Sequence, residues 1–198
     1  VMKDSFGEVN FYLLPFVKPA MVRQVLELEE EKERLTYEQT LTALLQREEV
    51  DEKVRNVLVS HQFYLPAGKT PEDISRMDSE ICTAGNIDAI SADCLDLFDY
   101  VALGHIHKPQ WVQKGKIRYS GSILKYSFSE SRQKKSVTIL EFEEKGKLQV
   151  TERELPVQTN LRTLRGPLEE LLRCAEPSED WIRVELTDEK VVPYAIER

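Results

Sequence analysis

The chain contains three histidines, and each follows an apolar run that is typical of a buried strand. His61 comes directly after residues 56–60 (NVLVS), and His105 and His107 come after residues 100–103 (YVAL). Short, nearly continuous apolar runs of this kind indicate strands covered on both faces of a sheet. Ligands and catalytic groups of layered α/β proteins collect beyond the ends of such strands, where a rigid sheet positions them. The three imidazoles are therefore candidates for one shared site.

The GHIH segment, residues 104–107, holds two histidines two positions apart. In an extended chain, side chains at positions i and i+2 point to the same face, so both imidazoles would meet one site while Ile106 points into the core. Gly104 removes a side chain beside them. Two hydrogen-bonded histidines at a strand end are an equally good interpretation of this pattern, and a lone histidine such as His61 has many uses. The residues alone leave both interpretations open.

The elements that must position these residues can be predicted from apolar periodicity and from capping and turn residues. Thr36 with Gln39 forms a capping-box pattern, and Ser91 is a second helix-capping residue. The predicted strands are residues 9–16 (ending at Pro15), 56–60, 100–103, 117–119, 137–142, 148–154 and 181–186, with 117–119, 137–142 and 148–154 antiparallel. The predicted helices are residues 20–34, 36–46, 91–98 and 167–174, and another begins at residue 192. Residues 65–81 are predicted to form an exposed loop.

The order of the motifs resembles a known family. An apolar strand with SHQ after it, a helix, a second apolar strand and then GHIH is similar to the later motifs of the calcineurin-like metallophosphoesterases. Four segments carry a closer resemblance to the bacterial DNA-repair nuclease subunits of that family: VNFYLLPF, VLVSHQF, DYVALGHIHKPQ and IRYSGSILKYSFSE. The resemblance covers residues 9–154 and extends weakly into the following linker and helix.

The resemblance implies an α/β fold of two units. Residues 1–155 would be the C-terminal part of a calcineurin-like β-sandwich flanked by helices, and residues 156–198 the start of an α+β capping domain. Residues 155–160 would link the two units. His61 and His105 would bind one divalent cation and His107 a second, and Mn²⁺ suits the mixed nitrogen and oxygen ligands of the family.

The same resemblance implies the activity and the partners of the complete protein. It would be a double-stranded DNA exonuclease and single-stranded endonuclease that works with an SMC-type ATPase, with a homodimer as a possible assembly. The family's earlier metal motifs, an Asp-x-His and a GNHD string, do not occur in this chain, and Asn86 lies in GNID instead. The chain thus holds no catalytic residue of the family besides metal ligands, and by itself we expect it to be inactive.

Basic residues are concentrated directly after the GHIH segment, although the whole chain has a formal net charge of -8. Eight basic residues and one acid, Glu130, lie between His105 and Ser136, which gives 8 - 1 = +7 for that window and -8 - 7 = -15 for the rest. Such a window is typical of a surface that follows a DNA backbone, and Lys108, Lys125 and Arg132 are the candidate DNA-binding residues. The rim of a solvated hairpin is the alternative. Residues 119–122 (YSGS) would either present amides to phosphate or form an ordinary glycine turn.

Composition excludes several classes of protein. No apolar run approaches the roughly 20 residues of a membrane-spanning helix, so a cytoplasmic protein without a membrane partner is expected. Cys82, Cys94 and Cys174 form no CxxC pair and are expected to be small buried residues. Two further hypotheses for the function remain: a phosphoesterase that acts on nucleotides or small phosphodiesters, and a non-catalytic scaffold that binds the partner ATPase.

Overall fold

A computed structural model describes residues 1–26, 35–80, 88–174 and 176–195 of the chain. Its largest sheet has the strand order β1-β2-β3-β6-β8-β7. These strands are β1 (Met2–Asp4), β2 (Gly7–Leu14), β3 (Arg55–Ser60), β6 (Tyr100–Leu103), β7 (Gln110–Gln113) and β8 (Ile117–Tyr119). Strands β2, β3, β6 and β8 run parallel, and β1 and β7 are antiparallel edge strands. The architecture is mixed α/β, and the carboxyl ends of four parallel strands meet at one edge of the sheet.

The core strands confirm the apolar pattern. Strand β2 ends at Leu14, directly before Pro15, because proline has no amide hydrogen to continue the ladder. Strands β3 and β6 have buried side chains on both faces over most of their length. The prediction that residues 117–119 belong to an antiparallel set is only half right, since β8 pairs parallel with β6 and antiparallel with β7.

The helices cover one face of this sheet. Helix α1 is Pro19–Val25 and helix α2 is Tyr37–Gln46; most of the predicted helix 20–34 beyond α1 lies outside the described residues. The capping box that starts α2 is confirmed: the Gln39 amide donates to Thr36 Oγ1 (3.2 Å), and the Thr36 amide donates to Gln39 Oε1 (2.9 Å). Leu41 and Leu45 carry the buried stripe of α2 into the main core.

Two predictions for the segment between β3 and β6 are wrong. Residues 65–81 are not simply an exposed loop, because Leu65 ends the buried strand β4 (Phe63–Leu65) and Ile74 is buried. Strand β4 pairs parallel with β5 (Ala89–Ser91). Residues 91–98 contain a 3₁₀ turn, Ala92–Leu95, rather than a longer helix, although Ser91 caps it as expected.

An antiparallel hairpin covers part of the opposite face of the sheet. It consists of β9 (Ser136–Phe142) and β10 (Leu148–Glu154), both as predicted. Its apolar side chains pack on a cluster around Val9, Val57 and Tyr100. Farther along β2, Phe11 and Leu13 on the same face are 43% and 75% exposed. The hairpin therefore covers the amino-terminal half of this face and leaves the half beside the strand ends open.

A smaller unit follows at the C-terminal end. Strands β11 (Leu161–Gly166) and β12 (Trp181–Leu186) pair in parallel and are joined through α3 (Leu168–Arg173), so the helix and the second strand are confirmed. Residues 193 and 194 lie in a turn and residue 195 has 3₁₀ conformation; the rest of the helix predicted to begin at residue 192 lies outside the described part. Cys174 is exposed, which corrects the prediction of three buried cysteines; Cys94 is half-buried and Cys82 is not described. No helix in the described ranges is long and apolar enough to cross a membrane.

Candidate metal site and basic groove

His61 and His105 lie beside each other at the carboxyl ends of β3 and β6. Their ring centroids are 5.6 Å apart with the ring planes at 86°, an edge-to-face arrangement. Gly104 makes this approach possible, since a Cβ atom at that position would lie 2.5 Å from His61 Nδ1. Adjacent parallel strands bring the two imidazoles together although they are far apart along the chain. The structure thus confirms that these two histidines share the edge of the sheet.

His105 adopts a backbone conformation that the sequence does not predict. Strand β6 ends at Leu103. His105 has a φ of 85°, in the left-handed region that residues other than glycine rarely occupy. The argument from an extended GHIH segment is therefore wrong in its premise, although Ile106 does point into the core. Strained backbone of this kind is concentrated at functional sites, where the surrounding structure maintains it.

The surroundings of His105 favour its neutral form. Burial lowers the pKa of His105 below its ordinary value, and the nearby His61 and Arg76 lower it further. The ring also stacks at 6.1 Å from Phe16, with the planes 3° apart. A metal binds the neutral imidazole rather than the imidazolium, so this environment suits a metal ligand.

His107 is held by a different set of side chains. Its Nδ1 lies 2.8 Å from Ser79 Oγ and 3.5 Å from Glu130 Oε1. Its ring packs against Tyr126, with centroids 5.5 Å apart. Within the described ranges, no three or more His, Cys, Asp or Glu side chains are grouped as a metal site requires. The convergence of all three histidines on one site stays a prediction.

The described residues fit the imidazole part of a metal shell, but they include no group of three or more His, Cys, Asp or Glu side chains that would complete it with anionic ligands. His61 and His105 offer two neighbouring imidazole rings, and one ring nitrogen of His107, Nδ1, contacts Ser79 Oγ. Divalent cations that bridge a phosphate also need carboxylate ligands to offset their mutual repulsion. His61, His105 and His107 can therefore hold part of a metal centre.

Two basic residues of the window are buried in ion pairs and do not lie on a DNA-binding surface. Lys135 is 1% exposed and Arg118 is 3% exposed. Lys135 pairs with Glu130 at 2.6 Å, and Arg118 pairs with Glu152 at 2.6 Å. The excess of positive charge in the sequence is thus partly neutralised in three dimensions, which the spacing of the charges does not reveal.

The three candidate DNA-binding residues differ in their surroundings. Arg132 is exposed. Lys108 donates to Ser75 Oγ (2.9 Å) and is half-buried. Lys125 donates to the Ser131 carbonyl (2.5 Å) and to Asn160 Oδ1 (2.8 Å), and so connects the first unit to the second. Lys125 and Arg132 line a groove of about 610 Å³, whose wall also includes Lys134, Glu154 and Asn160.

Comparison with known proteins adds the family context for this geometry. No family model matches the chain. The chain is 33% identical over 167 residues to the SbcD subunit of the nuclease SbcCD from Staphylococcus epidermidis. The chain is SbcD-like in sequence. The match covers 83% of the chain but 42% of the relative, so the chain spans less than half the length of that protein.

Sequence analysis of this SbcD-like chain did not identify Glu130 and Ser79 as site residues, although both contact His107. Glu130 is fully buried; burial alone would raise its pKa, but hydrogen bonds from Lys135 and Ser79 lower the pKa below the ordinary value. The only signal in the sequence was that Glu130 is the single acid in a basic window. Ser79 had no signal, because 28 residues separate it from His107 along the chain.

The YSGS segment of the SbcD-like chain is used within the protein. The Ser120 amide donates to the Leu103 carbonyl, and the Ser122 amide donates to the His107 carbonyl (3.1 Å each). Gly121 has a φ of 80°, and a Cβ atom there would lie 2.8 Å from the His107 carbonyl oxygen. The glycine turn therefore braces the GHIH segment, and neither of these serine amides is left for a phosphate.

Proposed function

We propose that this chain is part of a manganese-dependent DNA phosphodiesterase that acts in DNA repair and recombination. The observation that carries the proposal is the His61–His105 pair at the ends of adjacent parallel strands, with Gly104 leaving room for both rings. The similarity to an SbcCD nuclease subunit supports the DNA substrate and the SbcC-type ATPase partner. A cytoplasmic location is part of the same proposal.

The proposed architecture is that of the calcineurin-like metallophosphoesterases. Residues 1–155 would be the C-terminal part of the nuclease domain and residues 156–198 the start of the capping domain. The six-stranded sheet with a hairpin on one face and helices on the other supports the first assignment. The separate pair β11 and β12 supports the second.

The three histidines would bind two different cations. His61 and His105 would bind one cation, since their rings lie beside each other at the same edge of the sheet. His107 would bind the other. Two divalent cations supply, when bound, an activated hydroxide and positive charge on both the attacking and the leaving oxygen of a phosphodiester. Burial lowers the pKa of His105, which favours the neutral imidazole that a metal binds.

DNA would bind along the groove beside this site. Exposed Arg132 and the half-buried Lys125 line the groove, and Lys108 lies close to the GHIH segment in sequence. Each phosphate that such residues neutralise releases counterions and adds affinity.

The test uses the complete protein that contains this chain. Manganese-dependent release of nucleotides from double-stranded DNA ends is measured for the unchanged protein and for His61→Ala, His105→Ala and His107→Ala. We expect each substitution to abolish cleavage of DNA and also of a small chromogenic phosphodiester, since both need the metals. Glu144→Gln, an exposed carboxylate in the β9–β10 turn, is the matched control. Full activity of His105→Ala would contradict the proposal.

A further inference from the structure

Glu130 and Lys135 form an ion pair that is hidden from solvent on both sides. Glu130 is 0% exposed and Lys135 is 1% exposed, and their charged atoms are 2.6 Å apart. By contrast, the pairs Arg55–Asp4, Arg118–Glu152 and Lys145–Asp99 each have one partner that is 36% exposed or more. Burial of two charges has a large desolvation cost. The buried ion pair is therefore expected to have a role other than stabilising the fold.

The pair lies next to His107 and contacts it from two directions. Lys135 Nζ donates to the His107 carbonyl (3.2 Å) as well as to Glu130. Glu130 Oε1 accepts the hydroxyl hydrogen of Ser79 (2.7 Å), and the same Ser79 Oγ lies 2.8 Å from His107 Nδ1. The amide of His107 donates to Glu80 Oε1 (2.6 Å). Both the backbone and the ring of His107 are therefore held in place.

The hydrogen-bond directions determine which nitrogen of His107 carries the proton. A serine hydroxyl has one hydrogen, and an ionised carboxylate can only accept. Because Ser79 gives its hydrogen to Glu130, its oxygen can only accept from His107. Nδ1 of His107 must then carry a hydrogen, and in the neutral ring Nε2 keeps its lone pair.

We propose that Glu130, acting through Ser79, is a positioning residue that holds His107 in the Nδ1–H tautomer and so reserves Nε2 for a metal ion. The metal part of this inference rests on the proposed function. Metal-binding histidines commonly donate their second ring N–H to a carboxylate or another acceptor, which fixes both the ring orientation and the tautomer. Lys135 keeps Glu130 ionised, so that the carboxylate remains an acceptor.

The first arm of the test needs no metal. The chain has three histidines, so long-range ¹H–¹⁵N correlation spectra of imidazole-labelled protein resolve each tautomer, with His107→Ala as the assignment variant. We expect the Nδ1–H form for His107 at a pH where the ring is neutral, and a shift toward the Nε2–H form in Ser79→Ala. Ser178→Ala, an exposed serine in the second unit, is the matched control and should change nothing.

A second variant keeps this arm decisive if Ser79→Ala fails to fold. Glu130→Leu with Lys135→Met removes both charges, and apolar replacement of a buried pair is often tolerated. Without the carboxylate, the Ser79 hydroxyl is free to donate to Nδ1, so the Nε2–H form should appear. An Nε2–H form in the unchanged protein, or the Nδ1–H form in both folded variants, would overturn the proposal.

The second arm measures Mn²⁺ binding to the complete protein by the loss of the free-ion electron paramagnetic resonance signal. Ser79→Ala should weaken binding by about 10- to 100-fold, as is usual when the partner of a metal-binding histidine is removed. Ser178→Ala should bind as the unchanged protein does. If Ser79→Ala alters the tautomer but not the affinity, the link to metal binding is wrong. If His107→Ala leaves Mn²⁺ binding intact, the proposed metal site fails while the tautomer result stands.

Discussion

Gly104 lies directly under the ring of His61: a Cβ atom at Gly104 would come within 2.5 Å of His61 Nδ1 and 3.0 Å of its Cε1. The glycine of the GHIH segment is thus required by a histidine from the neighbouring strand. Its backbone does not need the freedom of glycine, since its φ is not in the left-handed region, whereas the next residue, His105, has a φ of 85°.

Gly104→Ala is therefore expected to displace the His61 ring and weaken metal binding more than it weakens the fold. In the complete protein, Mn²⁺ affinity and nuclease activity should fall at least tenfold, while the thermal midpoint changes little. Gly166→Ala is the control, because its added methyl group would meet only the flexible end of Leu171 at 3.3 Å. Unchanged Mn²⁺ affinity in Gly104→Ala would show that His61 is not a ligand in this position.

The 198-residue chain by itself should bind Mn²⁺ weakly and should not cleave DNA. Three neutral imidazoles cannot offset the repulsion between two adjacent cations, so we expect at most one loosely bound ion. Calorimetric titration of the chain, beside the complete protein, measures this difference. Nuclease activity that survives further purification and is lost in His107→Ala would contradict the prediction.

Neutralisation of the groove should weaken DNA binding. In the complete protein, Arg132→Gln is expected to lower affinity and to reduce the slope of log K against log salt by about 0.9 for each phosphate that is no longer neutralised. Lys108→Gln and Lys125→Gln should add to the effect, and Lys125→Gln should also loosen the contact with Asn160. Lys114→Gln, an exposed lysine outside the groove, is the control for charge alone. Equal slopes for the Arg132 and Lys114 variants would mean that the groove does not carry DNA.

Because Glu130 and Lys135 are both buried, we expect removal of one charge to destabilise the protein more than removal of both. Lys135→Met alone leaves a buried carboxylate without its counter-charge and should lower the free energy of unfolding by about 3 to 5 kcal/mol. The double change with Glu130→Leu should recover most of this loss. Urea denaturation of both variants measures the difference. The exposed pair Glu144 and Lys147 gives the control, where removal of one partner should cost under about 1 kcal/mol.

Asp180 should make the second unit sensitive to acid. A hydrogen bond from the Asn160 amide and, to a lesser degree, Ser178 and Arg162 lower the pKa of Asp180 below its ordinary value of 3.8. A carboxyl group with a lowered folded-state pKa contributes stability above its unfolded pKa, and that contribution is lost as the pH falls through the folded value. Asp180→Asn should therefore lower the thermal midpoint at neutral pH, and its difference from the unchanged chain should shrink below about pH 4. Glu176→Gln is the control, and a gap that persists in acid would count against this account.

Local patterns determined the elements and the positions of the candidate ligands. Continuous apolar runs specify buried strands such as β3 and β6, and the Thr36 and Gln39 pair specifies the start of α2, because these signals depend on neighbours within a few residues. The placement of the three histidines after core strands followed directly from the same runs. The hairpin of β9 and β10 was predictable on that basis, whereas the α/β fold class was expected from the resemblance of the motifs to a known family.

Only the tertiary structure decided which residues face each other. The φ of His105, the contact of Gly104 with His61 and the link from Glu130 through Ser79 to His107 were decided in the folded structure. Burial of Lys135 and Arg118 likewise depends on partners from other strands and turns, so a count of charges along the sequence overstated the basic surface. The physical reason is that periodicity reports how a residue sits on its own element, whereas hydrogen bonds and desolvation depend on what packing brings beside it.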